Sequence, residues 1–145
     1  MLSPTYFMQQ ALLEATTAMQ QEEIPVGAVL VHRNKIIART HNQTILLHDP
    51  TAHAEMLAFA AATQALASRY LTECTLYVTL EPCLMCAGAS YWAQIGTIVY
   101  AAKDAKNGYS SKCTTALHPK TILQSGLLEH ESVALLQSFF QSKRK

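Results

Sequence analysis

The alternation of short β-branched runs with longer segments of helical period limits the fold of this chain more than any other feature. Met8, Ala11, Leu12, Ala15 and Met19 recur at helical spacing, which predicts a helix over about 5–22 that Pro25 prevents from continuing. The apolar run 27–31 predicts a buried strand, 32–35 a turn and 36–39 its hairpin partner. After a loop over 42–50, Asp49 as N-cap and Pro50 in the first turn predict a second, Ala-rich helix reaching about Ala67. The β-branched run 75–79 predicts a strand, and Pro82 opens a third helix to about Ala93. Another strand is expected over 96–100, a polar loop over 102–118 and a short strand over 121–123. An amphipathic helix over 127–142, through Val133, Leu136, Phe139 and Phe140, closes the chain. Strands alternating with helices imply an α/β sheet of mixed pairing, in two or three layers.

At 145 residues, with no linker, repeat or low-complexity tract, residues 1–145 are expected to form a single domain. Hydrophobic residues are 50% and charged residues 14% of the chain, which fits neither disorder nor a coiled coil. A net charge of +1 argues against a partner captured by bulk positive charge alone. No apolar run approaches the roughly 18–20 residues that span a bilayer. Residues 1–10 also lack the basic and apolar regions of a signal peptide. A soluble cytoplasmic domain without a membrane partner is the expectation, and its four cysteines should be reduced thiols.

The chemistry concentrates in two short stretches, His53-Ala54-Glu55 and Pro82-Cys83-Leu84-Met85-Cys86. Zinc takes thiolate and imidazole ligands in a tetrahedron, and catalytic sites keep three protein ligands with the fourth position open to water. Two cysteines three apart in one helical turn can reach one metal, and the helix N-terminus favours their thiolates. His53 at the start of a facing helix supplies the third ligand. Glu55 then lies where it can exchange protons with water at the open position. Two other readings compete: a thioredoxin-like redox pair, and a closed structural site completed by His48, Cys74 or Cys113. In the second reading's absence, Cys74 is a small buried hydrophobe and Cys113 a loop thiol.

H-x-E followed by P-C-x-x-C resembles the zinc-dependent nucleoside and nucleobase deaminases. The longer stretches Pro25–Val31, His48–Glu55, Thr75–Cys83, Met85–Ala89 and Asp104–Lys106 are most similar to bacterial tRNA-specific adenosine deaminases, and the resemblance covers nearly the whole chain. It implies a three-layer α/β/α cytidine-deaminase-like fold around a mixed five-stranded sheet, and one zinc ion per chain held by His53, Cys83 and Cys86. Glu55 becomes the proton shuttle for hydrolytic conversion of the wobble adenosine of tRNA to inosine. The resemblance further implies a homodimer that binds the anticodon stem-loop across its interface, to which Tyr91 and Trp92 offer apolar surface. Substrate contacts are implied for Asn42, Ala54, Asp104, Lys106 and Phe140. Taken without the resemblance, Asn42 reads as a turn residue, Asp104 and Lys106 as a solvated charged loop, and one of Phe139 and Phe140 as core.

The chain departs from the family pattern at Gln94, at Ala101 and in the loop after Gly108, and it ends in a short basic cluster, Lys143-Arg144-Lys145. Three function classes remain open on the residues: a tRNA adenosine deaminase, a deaminase of free bases or nucleosides such as guanine or cytosine, and a non-catalytic zinc module.

Overall fold

Five strands form one sheet in the order β2-β1-β3-β4-β5. In the computed structural model, which describes residues 1–144, these are β1 (Gly27–His32), β2 (Lys35–His41), β3 (Cys74–Leu80), β4 (Thr97–Ala102) and β5 (Ile122–Ser125). The helices are α1 (Pro4–Gln20), α2 (Ala54–Leu66), α3 (Leu84–Ala93) and α4 (Glu129–Lys143), with a 3-10 turn at Tyr109–Ser111. β1 pairs antiparallel with β2 and β3, while β3, β4 and β5 run parallel. A parallel neighbour requires a crossover, and α3 supplies it between β3 and β4.

Side chains alternate across the sheet, so each central strand feeds two cores. Ala28, Leu30, Leu76, Val78 and Ile98 pack with Ala54, Ala58, Phe59 and Ala62 of α2. Val29, Val31, Tyr77, Val99 and Ala101 pack on the other face with Phe7, Met8 and Ala11 of α1, and with Leu127 and Leu128 before α4. α1 sits directly on the start of β1: a Cβ at Gly27 would lie 2.1 Å from the Ala11 carbonyl oxygen and 2.4 Å from the Ala15 nitrogen. The Ser132 hydroxyl of α4 donates to the Thr79 carbonyl at 2.5 Å, tying that helix to the end of β3. The architecture is therefore α/β/α in three layers, with a mixed five-stranded sheet, as the resemblance implies.

Three helix starts differ from the sequence expectation; α4 begins at Glu129 rather than 127, and the other two lie beside the site. α2 begins at Ala54 with His53 as N-cap, because Asp49 closes its own turn instead. The Asp49 carboxylate accepts both the Thr51 N–H at 2.8 Å and the Thr51 hydroxyl at 2.7 Å, a local alternative to capping. α3 begins at Leu84 with Cys83 as N-cap, two residues later than Pro82 suggests. Among the described residues no helix is long and apolar enough to cross a membrane.

Candidate active site

α2 and α3 start close together, next to the C-terminal end of β3. Both N-cap residues are in extended conformation, His53 at φ −73°, ψ 151° and Cys83 at φ −72°, ψ 173°. An N-cap side chain ordinarily turns back to bond the first free amides of its helix. Neither His53 nor Cys83 does so, and both project toward each other. The His53 Nδ1 lies 3.6 Å from the Cys83 Sγ and 3.5 Å from the Cys86 Sγ.

These separations fit zinc. Ligand bonds of about 2.0–2.1 Å to nitrogen and 2.3 Å to sulfur at tetrahedral angles place N and S about 3.6 Å apart. The three ligand atoms lie within 4.8 Å of one another, and among the described residues no other group of three His, Cys, Asp or Glu meets that condition. His48, Cys74 and Cys113 lie outside it, and Cys74 is buried as a small hydrophobe. A donor set of one imidazole and two thiols, open on its fourth side, suits a catalytic rather than a closed structural zinc.

The Cys86 thiol donates to Cys83, which with the help of His53 holds the Cys83 thiol down to about 4. The same bond, together with burial, pushes the Cys86 thiol up, and the Cys83 thiolate raises the His53 imidazole. Metal ligands must be deprotonated thiolates, so binding at this site is coupled to release of any proton the thiol pair still holds.

Glu55, in the first turn of α2, is 4% exposed. Burial pushes its carboxyl up to about 7, with the charge of Cys83 adding to the rise and His53 opposing it. A group that titrates near neutrality can both accept and donate a proton at working pH. It opens onto a cleft of about 210 Å³ whose polar lining includes Asn42, Thr44, His53, Cys83, Asp104 and Asn107. That volume is below the roughly 300–1,000 Å³ of sites for drug-sized ligands.

The remaining residues named from the sequence divide. Asn42 lines the cleft, and its side chain already bridges two backbones: Oδ1 accepts the Ala54 N–H at 2.9 Å and Nδ2 donates to the Ile24 carbonyl at 3.3 Å. Ala54 is fully buried with its N–H spent on Asn42. Asp104 also lines the cleft, and its Oδ1 accepts the N–H groups of Lys106 at 3.2 Å and Asn107 at 3.0 Å. The Lys106 side chain is exposed and does not line the cleft. Phe140 stands on a separate groove between α4 and β4, with Lys103, Leu136 and Arg144, which shares no residue with the cleft. Its neighbour Phe139 is buried, so one of the pair is core as expected. In the basic cluster Lys143 lies 3.8 Å from Glu22 and Lys145 lies outside the described residues.

Sequence reasoning missed two buried carboxylates, Glu23 and Glu81, at 1% and 2% exposure. Each stands within two residues of a proline where a segment enters or leaves the sheet, Glu23-Ile24-Pro25 and Glu81-Pro82, a setting that fixes the backbone and turns a side chain inward.

Comparison with known proteins agrees with this geometry. A tRNA-specific adenosine deaminase of Agrobacterium fabrum is 43% identical over 151 residues, covering 99% of this chain and 98% of its own. The tRNA-specific adenosine deaminase of Aquifex aeolicus is 41% identical, covering 96% and 95%. A solved structure from work on A-to-I editing by tRNA deaminases at the wobble position of transfer RNA superposes with a TM-score of 0.86 at 43% identity, over 91% of this chain and 99% of that one. Residues 1–102 match the family described as the cytidine and deoxycytidylate deaminase zinc-binding region, and with these relatives along its whole length the chain belongs to that family of zinc-dependent deaminases.

Proposed function

We infer that this protein hydrolyses the wobble adenosine of tRNA to inosine and ammonia, working as one domain per chain in the cytoplasm. The observation that carries the reading is the buried Glu55 beside an open three-ligand trio, lining the same cleft as His53 and Cys83. Full-length similarity to tRNA-specific adenosine deaminases supports the choice of RNA over a free base.

His53, Cys83 and Cys86 would hold the zinc. Zinc at such a site supplies Lewis acidity that ionises water near neutral pH. The Glu55 carboxylate would take one proton from the attacking water and deliver it to ring nitrogen N1; it would then take the proton of the new C6 hydroxyl and pass it to the amine, so that the C6–N bond breaks, ammonia leaves and the C6 carbonyl forms. Asn42 and Asp104 both line the cleft and would orient the base and its ribose. Asn42 keeps a role here, and Ala54 contributes through the amide that Asn42 holds. Phe140 and Lys106, outside the cleft, would meet the RNA beyond the target nucleotide. Unstacked loop bases are cheap to extrude, so an anticodon loop suits a protein of low net charge.

The active particle is a homodimer in this reading. Leu84, Met85, Tyr91 and Trp92 are all exposed on α3, with Trp92 at 79%, and they recur at the spacing of one helix face.

The test is a paired assay of the zinc-loaded protein on tRNA and on free guanine, cytosine and adenosine. Turnover of tRNA with little turnover of free bases is expected. The reverse result would assign the same chemistry to a small-molecule deaminase, and activity on neither would leave a zinc module.

A further inference from the structure

The two buried carboxylates besides Glu55 accept their hydrogen bonds from segments that also carry lining residues of the cleft. Glu81 lies between the end of β3 and Cys83. Its Oε1 accepts the Asp104 N–H at 3.1 Å, and its Oε2 accepts the Ser110 N–H at 3.0 Å and the Ser110 hydroxyl at 2.6 Å. Glu23 does the same for a second segment: Oε2 accepts the Leu46 N–H at 2.9 Å, Oε1 accepts the Thr44 hydroxyl at 3.3 Å, and both oxygens share the Ile45 N–H at 3.2 Å. Among the described residues neither carboxylate forms an ion pair. A buried carboxylate is tolerated only when its lone pairs are matched by donors. Here those donors come from the segments that carry Thr44 on one wall, and Asp104 and Asn107 on the other.

The Glu81 wall is closed further onto the metal-binding strand end. The Tyr109 N–H donates to the Pro82 carbonyl at 2.9 Å, and Gly108 makes a β-bridge with Cys83. Only glycine permits that closure, since a Cβ at Gly108 would lie 2.4 Å from the Glu81 Cδ and 2.5 Å from the Asp104 carbonyl oxygen.

We propose that Glu81 and Glu23 are positioning residues for the deamination reaction, each pre-setting one wall of the cleft so that the target nucleotide meets a finished pocket. The proposal rests on the deaminase reading of the site. The carboxylates act through the loops they hold, so they govern capture of the nucleotide more than the proton transfers of Glu55. Holding reacting groups in a fixed geometry before substrate arrives is what such clamps contribute.

Glutamine tests this at nearly constant volume. Both Glu81 oxygens receive an N–H, so an amide must turn an NH₂ toward a donor at one of them. Gly108→Ala attacks the same wall from the other side, driving a methyl against the Glu81 carboxylate and the Asp104 carbonyl while keeping the carboxylate's charge. For zinc-loaded Glu81→Gln, Gly108→Ala and Glu23→Gln, backbone amide exchange is measured by mass spectrometry, together with zinc content and steady-state kinetics on an anticodon stem-loop carrying a wobble adenosine. Expected for Glu81→Gln and Gly108→Ala is faster exchange confined to 104–110, and for Glu23→Gln faster exchange confined to 44–46. Zinc stays at one per chain. KM rises about 10-fold and kcat falls by less than about 3-fold, the scale of one lost charge-assisted hydrogen bond felt mainly in binding. Walls that stay protected in the variants would overturn the proposal, as would loosened walls with unchanged KM, or a fall in kcat at constant KM. A wild-type protein inactive on the stem-loop would instead defeat the deaminase reading, and the exchange data alone would then decide whether the clamps exist.

Discussion

Asn42 Oδ1 accepts the backbone N–H of Ala54 at 2.9 Å, so the helix that carries Glu55 is capped by a loop residue rather than by its own N-cap, His53. The arrangement frees the imidazole to face the two thiols. It also makes one side chain serve both the cleft wall and the helix below it.

Replacing Asn42 by alanine should therefore cost stability as well as activity. Loss of a cap is worth about 1 kcal/mol, which lowers Tm by about 3–4 °C in a chain of this size. Thermal unfolding of Asn42→Ala checks this, and Asn42→Asp, which keeps the acceptor for Ala54 but loses the donor to the Ile24 carbonyl, should recover only part of the loss. An unchanged Tm in Asn42→Ala would show that the bond carries no cap energy.

His53→Ala and Cys86→Ala should lose zinc. Metal analysis reads this directly, and folding stability should fall with it because binding energy is coupled to the fold. A chelator should lower the Tm of the zinc-loaded wild type and leave that of either variant where it is. Full zinc occupancy in both variants would refute the ligand assignment.

Gly27→Ala should destabilise the fold. The added methyl meets the backbone of α1 at 2.1 Å and 2.4 Å, which no side-chain rotation relieves. Overpacking of a core typically costs about 1–3 kcal/mol, and a backbone collision should reach the top of that range. Urea unfolding of the variant measures the loss, and a loss below about 1 kcal/mol would mean that α1 shifts freely on β1.

Tyr109 gives a pH signature. Burial pushes its hydroxyl up to about 12, with Tyr100 and Glu81 nearby adding to the rise. Its neutral form is favoured by folding, so this stability is complete below the unfolded value of 10.0 and is lost as pH rises from there through about 12. Tyr109→Phe should flatten part of the alkaline fall in stability over that window. Only part is expected, because Tyr77 and Tyr100 are raised in the same direction. An unchanged alkaline profile would place the effect on other groups.

What could be read from the sequence follows from which residues act locally. The strands were legible because β-branched and apolar runs at 27–31 and 75–79 match a doubly covered sheet, and the metal trio because His53, Cys83 and Cys86 have ligand chemistry at helical spacing. The start of α2 was not, since Asp49-Pro50 carries every local sign of a cap while its carboxylate goes to Thr51. Glu23 and Glu81 were hidden for a different reason. An acidic residue reads as solvent-facing, and the donors that make their burial tolerable come from segments about 21–29 residues away. The position of Phe140 away from the cleft likewise depends on how α4 docks against β4, which no local pattern encodes.

In the proposed reaction Glu55, beside a metal held by His53, Cys83 and Cys86, turns a wobble adenosine into inosine. The most direct measurement is inosine formation in an anticodon stem-loop with adenosine at the wobble position, followed by mass spectrometry of the digested RNA. Zinc-loaded wild type and Glu55→Ala are compared, with zinc content determined for both. Inosine is expected at that one position with the wild type, with a fall of at least about 10²–10⁴-fold in Glu55→Ala at unchanged zinc content. A zinc-loaded Glu55→Ala protein that keeps a tenth of the wild-type rate, or a wild type that forms no inosine there, would contradict it.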